Sequence, residues 1–389
     1  MVFGVKKMSI GTTLESRTKI NADVNTSDDS KLIIPNLINY GNIGFIGLGD
    51  VGSSSFTQLV HHHLHELINI KEINLFYREE KEKEKERVNI LIDSIPESSP
   101  NLSINTTPNL YDLGQDSGII LIALGHREEE IGGREKLIGK YFNDIVDIME
   151  GLGDSKATIF MATNNVTANC LAAYLSSEQE NPNIVGFTRL DYRRPINIIE
   201  GWLRGEGYKN LEADLNVLGP HGKGLIVTNI IMGNKEKGWG NPIFDNNGLN
   251  FYFEDNSKTI ERLSRETAEK GEQIHKYLKD STNPTAPGTQ VVESIKLMLE
   301  GGKDTAAIGI DLSEICGSGL DMPKCPTFMS LPIVYKKGIP KIDPSFDSQK
   351  IPENYRMDLL KTLYNEQETV KNYLIANKGL RILKNHFDL

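Results

Sequence analysis

Apolar positions along the chain follow two rhythms, and the change of rhythm divides the sequence. In the first half, short continuous apolar runs alternate with helical stripes. The runs are Ile43–Ile46, KEINLFY, GIILIALG and ATIFMATNN, each of strand length and flanked by glycine or polar residues. Between them, Phe56, Leu59 and Val60 recur at helical spacing, as do the apolar positions of REKLIGKYFNDIVDIMEGL. Strands that are apolar on both faces, separated by amphipathic helices, predict a parallel sheet covered on both sides. The second half is richer in long helical stripes, at TIERLSRETAEKGEQIHKYLKD, QVVESIKLMLEGG and ENYRMDLLKTLYNEQETVKNYLIANK. Strands are expected there near LNVLGP, AAIGID and PTFMSLPIVYKK, so an α+β arrangement follows. Residues 1–40 are polar and weakly patterned and are expected to form a flexible extension. The predicted divisions are therefore 1–40, 41–185 and 186–389.

Composition narrows the classes. A chain of 389 residues exceeds what one core fills comfortably. The net charge of −10 argues against nucleic acid, whose binding needs a basic face. No apolar run is long enough to span a bilayer, so no membrane partner is expected. Cys170, Cys316 and Cys325 are an odd set without metal-ligand spacing, which with no secretory signal points to the reducing cytoplasm. His61 and His65 lie four apart in HHHLH, a spacing able to chelate a metal. No third ligand is evident near them, so they are read as surface residues and no metal site is assigned. The charge run REEKEKEKER is read as a solvated helix face.

The chemistry begins at GLGDVG. Gly47, Gly49 and Gly52 follow an apolar run and precede a helical stripe, with Asp50 and Val51 between them. That context is the dinucleotide-binding fingerprint: a tight turn, close backbone approach to a pyrophosphate, and a helix N-terminus facing the phosphates. At the end of the second strand, where the fingerprint places an acid for the ribose, stand Tyr77 and Arg78. Loss of the acid and gain of a cation suits a 2′-phosphate, whereas Arg78 read as the start of the solvated run REEKEKEKER does not, so NAD is expected with NADP admissible beside it. Arg127 and Arg134 flank a glycine-containing loop after GIILIALG, placed where a lid over an anionic substrate would lie. Asn164 is expected at the carboxyl end of a strand. Asp191 and Arg194, at i and i+3, face the same way on one helix. His221 sits in the tight frame GPHG. An amide, an Asp–Arg pair and a titratable imidazole suit a dehydrogenase of a small 2-hydroxy acid: the arginine grips a carboxylate, and the aspartate orients the imidazole.

From Asn42 onward the chain resembles the lactate/malate dehydrogenase family. The resemblance rests on GLGDVGSS, the arginine loop HREEEIGGREK, TNNV, LDYRR and GPHGKG, in that order, and on TAPGTQVVESIKLML and TFMSLPIVYKKGI further on. It implies a Rossmann-type parallel-sheet domain followed by an α+β substrate domain. It also implies nicotinamide-dependent hydride transfer with a 2-hydroxy/2-keto acid, and a homodimer or homotetramer. By that resemblance His221 is the general acid/base and Asp191 its partner. Arg194 holds the substrate carboxylate, Arg134 polarises the carbonyl, and Asn164 bonds its oxygen and borders the nicotinamide. In the family, the residue six before the loop arginine selects the substrate. Here that position is Glu128, or Arg127 if the loop carries one extra residue. Arg127 would attract a second carboxylate, which favours malate/oxaloacetate, with lactate or another 2-hydroxy acid as the alternative. Asn165 and Lys223 replace the family's proline and acid.

Two other classes share part of this pattern. NAD-dependent glycoside hydrolases also open on a glycine-rich turn but use a metal-binding Cys–His pair, which the Asp191–Arg194 and GPHG motifs do not suit. A dinucleotide-binding pseudoenzyme would explain the departures at Tyr77, Asn165 and Lys223, although every proposed catalytic side chain is retained.

Overall fold

The apolar runs of the first half become strands of one twisted sheet. The computed structural model describes residues 41–95, 101–125, 134–179, 181–205, 211–221, 225–234, 261–267, 269–270, 285–310, 326–336, 338–346 and 353–378. The flexible extension expected at 1–40 lies outside these, as do Arg127, Glu128 and Lys223.

Strands β1 (Asn42–Ile46), β2 (Glu72–Phe76), β3 (Ser103–Thr107), β4 (Ile119–Ile122), β5 (Thr158–Met161) and β6 (Ile184–Phe187) alternate with helices. The helices are α1 (Asp50–Leu64), α2 (Glu82–Asp93), α3 (Leu110–Asp116), α4 (Arg134–Leu152) and α5 (Val166–Ser176). The six strands are parallel in the order β3-β2-β1-β4-β5-β6. That is the doubly wound dinucleotide-binding order, whose switch point lies between β1 and β4. β1, β4 and β5 are buried along their whole length, which accounts for their unbroken apolar runs. Helices cover both faces and make two apolar clusters. Phe45, Phe56 and Leu59 belong to one, and Ile120, Phe142 and Met149 to the other.

After β6 come α6 (Arg189–Gly205), the antiparallel pair β7 (Leu211–Leu218) and β8 (Ile226–Asn234), and a helical segment at 261–267. Ile196, Ile199 and Leu203 of α6 pack on Leu215, Val217 and Val227 of that pair to form a third cluster. Next are α7 (Thr285–Glu300), β9 (Gly302–Ile310), β10 (Thr327–Lys336), β11 (Ile339–Ile342) and α8 (Glu353–Lys378).

β9, β10 and β11 extend the parallel sheet rather than forming one of their own. β9 pairs antiparallel with β6 through Val185–Ile308, Gly186–Ala307 and Phe187–Ala306, giving a sheet of nine strands among the described residues. The division expected at residue 185 therefore falls inside β6, and the sheet continues across it. The chain is α/β with a large, mostly parallel central sheet and an antiparallel continuation toward its C-terminus. Gly186 makes the close approach possible, since a Cβ there would lie 2.8 Å from the Ala307 methyl and 2.9 Å from Cys170 Sγ. α7 in turn crosses α1: Thr289 Oγ1 donates to Gln58 Oε1 at 2.6 Å, and Gly288 lies against Ser54.

Candidate active site

The glycine turn is built by three glycines with three different jobs. Gly47 has φ +87°, and a Cβ on it would lie 2.5 Å from the Ala123 carbonyl oxygen at the end of β4. Gly52 lets α1 fold back on the turn, because a Cβ there would lie 2.1 Å from the Gly47 carbonyl oxygen. Gly49 faces open space, with nothing within 4 Å of the Cβ position. It is also the N-cap of α1 and gives no side-chain cap, so backbone N–H groups of the first helical turn point into that space. Room above Gly49 and a helix N-terminus behind it fit the pyrophosphate of a dinucleotide. Val51 is half-buried, while Asp50 is exposed in the first turn, an anion favoured by the helix dipole but unfavourable beside a phosphate. Arg87 and Ser53 hold the turn from behind through the Leu48 carbonyl, at 3.0 and 2.8 Å.

Tyr77 follows β2 and is half-buried, with Lys85 Nζ 6.0 Å from its ring centroid. Arg78 is not part of a solvated helix face. α2 starts only at Glu82, and the Arg78 guanidinium turns back to pair with the Glu84 carboxylate. The interaction raises the Arg78 pKa and lowers that of Glu84 against the opposing effect of burial.

At the carboxyl ends of β4 and β5, Thr163 Oγ1 accepts from Leu124 N at 2.9 Å, fixing the two strand ends side by side. Asn164 is exposed there, and its Oδ1 accepts from the Asn165 amide at 2.7 Å. That leaves the side-chain NH2 as the end that can donate outward. Asn165, in place of a proline, takes φ +61°, a left-handed conformation asparagine tolerates. The loop is tied down by buried Asn169, whose Nδ2 donates to the carbonyls of Thr163 and Asn164 at 3.2 and 2.7 Å.

The structure brings Asp191, Arg194 and His221 together. Asp191 lies in the first turn of α6 with its side chain 0 % exposed. Its Oδ2 is 2.6 Å from His221 Nδ1, and its Oδ1 accepts from Arg194 Nη1 at 3.3 Å. One buried carboxylate thus serves both cations across a separation of 30 residues in sequence. The frame around His221 is set by Gly219, with φ +108°, which bridges to Ser330 of β10 in both directions at 2.8 and 3.3 Å. Pro195, inside α6, has no N–H for the Asp191 carbonyl one turn back, so the helix is loosened at the residue that carries the carboxylate. With Nδ1–H directed at Asp191, His221 presents Nε2 to the open side, its side chain being 21 % exposed. Burial disfavours the imidazolium, but the charge and hydrogen bond of Asp191 outweigh it and the pKa is raised. Arg194 works against that rise, and Glu366 of α8 adds to it.

Glu366, Thr167 and Asn169 were not singled out by the sequence reading. Glu366 had a visible signal: it falls on the inward stripe Leu359, Leu363, Val370 and Leu374 of α8, where an acid is out of place. Arg134 opens α4, where only its backbone is described, and Arg127 lies outside the described residues, so their side chains are not positioned relative to His221.

No protein-family model matches the chain, and no curated protein matches its sequence. Solved structures do match. Malate dehydrogenase from Naegleria fowleri superposes with a TM-score of 0.67 at 16% identity, over 86% of this chain and 98% of that one. A lactate dehydrogenase from a Medee basin deep-sea metagenome library gives 0.62 at 17%, over 86% and 97%. Malate dehydrogenase from Plasmodium falciparum, solved in complex with NADH, gives 0.61 at 18%, over 86% and 98%. The protein therefore has the fold of the malate and lactate dehydrogenases, over nearly the full length of those enzymes. Among the described residues no helix is long and apolar enough to cross a membrane.

Proposed function

We propose that the protein is a nicotinamide-dependent dehydrogenase of a small 2-hydroxy acid, with malate/oxaloacetate as the favoured pair. The observation that carries this is the shared carboxylate: Asp191 holds His221 at 2.6 Å and Arg194 at 3.3 Å, on the fold of the malate and lactate dehydrogenases. Such a cluster offers an oriented proton donor and a carboxylate-binding guanidinium from one rigid helix start.

In this reading the nicotinamide cofactor, when bound, supplies or accepts the hydride at the substrate carbon. Gly47, Gly49, Val51 and Gly52 would hold its pyrophosphate at the N-terminus of α1, with Tyr77 bordering the adenosine side. Arg78 is engaged by Glu84, which neutralises the cation a 2′-phosphate would need and supports NAD over NADP. Arg194 binds the substrate carboxylate through parallel hydrogen bonds. His221 Nε2 gives a proton to the carbonyl oxygen in reduction and takes it back in oxidation, while Asp191 keeps the tautomer fixed and stabilises the cation. Asn164 donates to the same oxygen. Arg134 closes over it and stabilises developing charge, and Arg127 accepts the second carboxylate of a dicarboxylic substrate.

The test is loss of the reduced-nicotinamide absorbance with NADH and NADPH, each offered against oxaloacetate, pyruvate and 2-oxobutyrate. Oxidation of NADH by oxaloacetate alone is the expected result and assigns Arg127 to specificity. A preference for pyruvate or 2-oxobutyrate moves that role to Glu128. Cofactor binding without turnover on any of the three overturns the reading in favour of a dinucleotide sensor.

A further inference from the structure

One buried ion pair close to this cluster in the chain has no part in the chemistry above. Arg189 is the first residue of α6, two before Asp191. Its guanidinium forks: Nη1 donates to Asp304 Oδ1 of β9, and Nε donates to Gln290 Oε1 of α7 at 3.0 Å. The Asp304 side chain is 0 % exposed and that of Arg189 11 %. Asp304 is held from two further directions, because Ser294 Oγ donates to its Oδ2 at 2.7 Å and the Thr305 amide to its Oδ1 at 2.8 Å. The neighbour of Gln290 on α7 is Thr289, whose hydroxyl donates to Gln58 of α1. Arg189 thus ties the start of α6 to a strand of the central sheet and to a helix that is itself fastened to α1.

That start needs an anchor from outside the helix. Pro195 has no N–H for the Asp191 carbonyl, so the helical ladder does not close over the turn that carries Asp191 and Arg194. A buried ion pair is also a poor way to gain stability, since well-packed apolar side chains of similar size often do as well or better. What the planar guanidinium adds is direction, two bonds at a fixed angle to two different elements. We propose that Arg189 is a positioning residue: its bonds to Asp304 and Gln290 fix the first turn of α6, and so set where Asp191 meets His221 and where Arg194 presents its guanidinium. The proposal rests on the reading of that cluster as the substrate site of a dehydrogenase.

A turn that drifts carries both functional groups with it. Displacing Asp191 loosens the 2.6 Å contact to His221 and lowers kcat, while displacing Arg194 weakens the grip on the substrate carboxylate and raises KM. Misplacement by about 1 Å through a change remote from the chemistry can cost on the order of 100-fold in rate. Simple loss of stability has a different signature. It lowers the folded fraction, and with it the apparent kcat, but leaves the KM of the folded molecules unchanged. The N-terminus of α1 lies outside this turn, so affinity for the nicotinamide cofactor should be kept.

The experiment compares the full-length wild type with Arg189→Lys and with the double variant Arg189→Gln, Asp304→Asn. Lysine keeps a charge beside Asp304 but cannot fork to Gln290, and the double variant exchanges the ion pair for two amides. Neither leaves an uncompensated buried charge, so both should fold, as the melting temperature reports. The Nδ1–H proton of His221, observed by NMR in protein with isotope-labelled histidine and assigned through His221→Asn, reports the bond to Asp191 without any turnover. In both folded variants this resonance should move upfield. KM for the keto acid should rise and kcat fall, so that kcat/KM drops about 10- to 100-fold with NADH affinity kept. An unmoved His221 resonance in the folded variants, or a kcat/KM that returns to the wild-type value along with the melting temperature, overturns the proposal. A moved resonance where even the wild type turns over no keto acid supports the positioning role and defeats the dehydrogenase reading instead.

Discussion

Replacing Asp191 with asparagine keeps the shape of the side chain and removes the charge on which the cluster depends. The carboxylate is fully buried and offers one oxygen to His221 and the other to Arg194. An amide has one acceptor oxygen, so it can serve only one of the two partners, and its NH2 faces the other. A hydrogen bond to a charged group is worth about 1.5–3 kcal/mol net. Losing it lowers the His221 pKa, because the charge and hydrogen bond of Asp191 are what raise it against burial. The imidazole also loses the acceptor that fixes its tautomer, and misdirected acid/base catalysis costs on the order of 100- to 10,000-fold in rate. Arg194 remains charged, so kcat should fall with little rise in KM for the keto acid. The sign of the stability change follows from the raised histidine pKa. The contribution of the pair is complete below the unfolded value near 6.5 and fades as pH rises through the folded value. Asp191→Asn should therefore lose most stability in acid and less as pH rises through the folded value. Steady-state kinetics, His221 NMR and denaturant titration at two pH values measure the three effects. An unmoved His221 midpoint, or turnover within about tenfold of wild type, would refute the reasoning.

The glycines of the turn can be separated in the same way. Gly52→Ala drives a methyl into the Gly47 carbonyl and should cost about 1–3 kcal/mol, read as a lower melting temperature. Gly49→Ala meets nothing in the protein and should leave the melting temperature within about 2 °C while weakening NADH binding, read by fluorescence titration. Equal losses of NADH binding and stability in both variants would contradict the assignment of the space above Gly49. Glu366→Gln should stabilise the protein in alkali. With the folded carboxyl at about 7 against 4.5, its favourable contribution exists below the unfolded value and is lost as pH rises through the folded one. The gain should be about 1–2 kcal/mol at pH 8 after allowance for partial exposure, and nearly absent at about pH 4. Denaturant midpoints that do not diverge between these pH values would count against a buried, protonated Glu366. Glu84→Gln releases Arg78 and should raise the affinity for NADPH relative to NADH, and an unchanged ratio would remove Arg78 from the cofactor site.

Much of this was legible because some requirements are local. A positive φ at Gly47 and a backbone contact at Gly52 allow little but glycine, so GLGDVG announces its own geometry. Asp191 and Arg194 are three apart on a helix and meet as the spacing requires. The helical stripe ENYRMDLLKTLYNEQETVKNYLIANK becomes α8, Glu353–Lys378. Other features have no local signature. β3 reads SINTT because it is an edge strand, and only part of each residue is buried. β6 is four residues long, and its pairing with β9 joins segments more than a hundred residues apart. REEKEKEKER reads as a uniform solvated helix, yet its first arginine is drawn out of the pattern by Glu84. The meeting of Asp191 with His221 depends on the Gly219–Ser330 bridge, which no spacing within the chain reveals. Glu366 is a single polar residue on an apolar stripe, and what lies opposite it is set wholly by how α8 docks.

The β6–β9 splice has a consequence for the growing chain. When Phe187 leaves the ribosome, the five strands before it are already made and can zip together. The strand that seals the outer edge of β6 begins only at Gly302. At translation speeds of roughly 5–20 residues per second, that interval lasts on the order of ten seconds. For that time the nascent chain displays a buried-type strand, IVGF, with an open row of backbone donors and acceptors. Chaperone occupancy should concentrate in this window, and messages truncated between residues 190 and 300 should yield aggregates rather than a free-standing nucleotide-binding half.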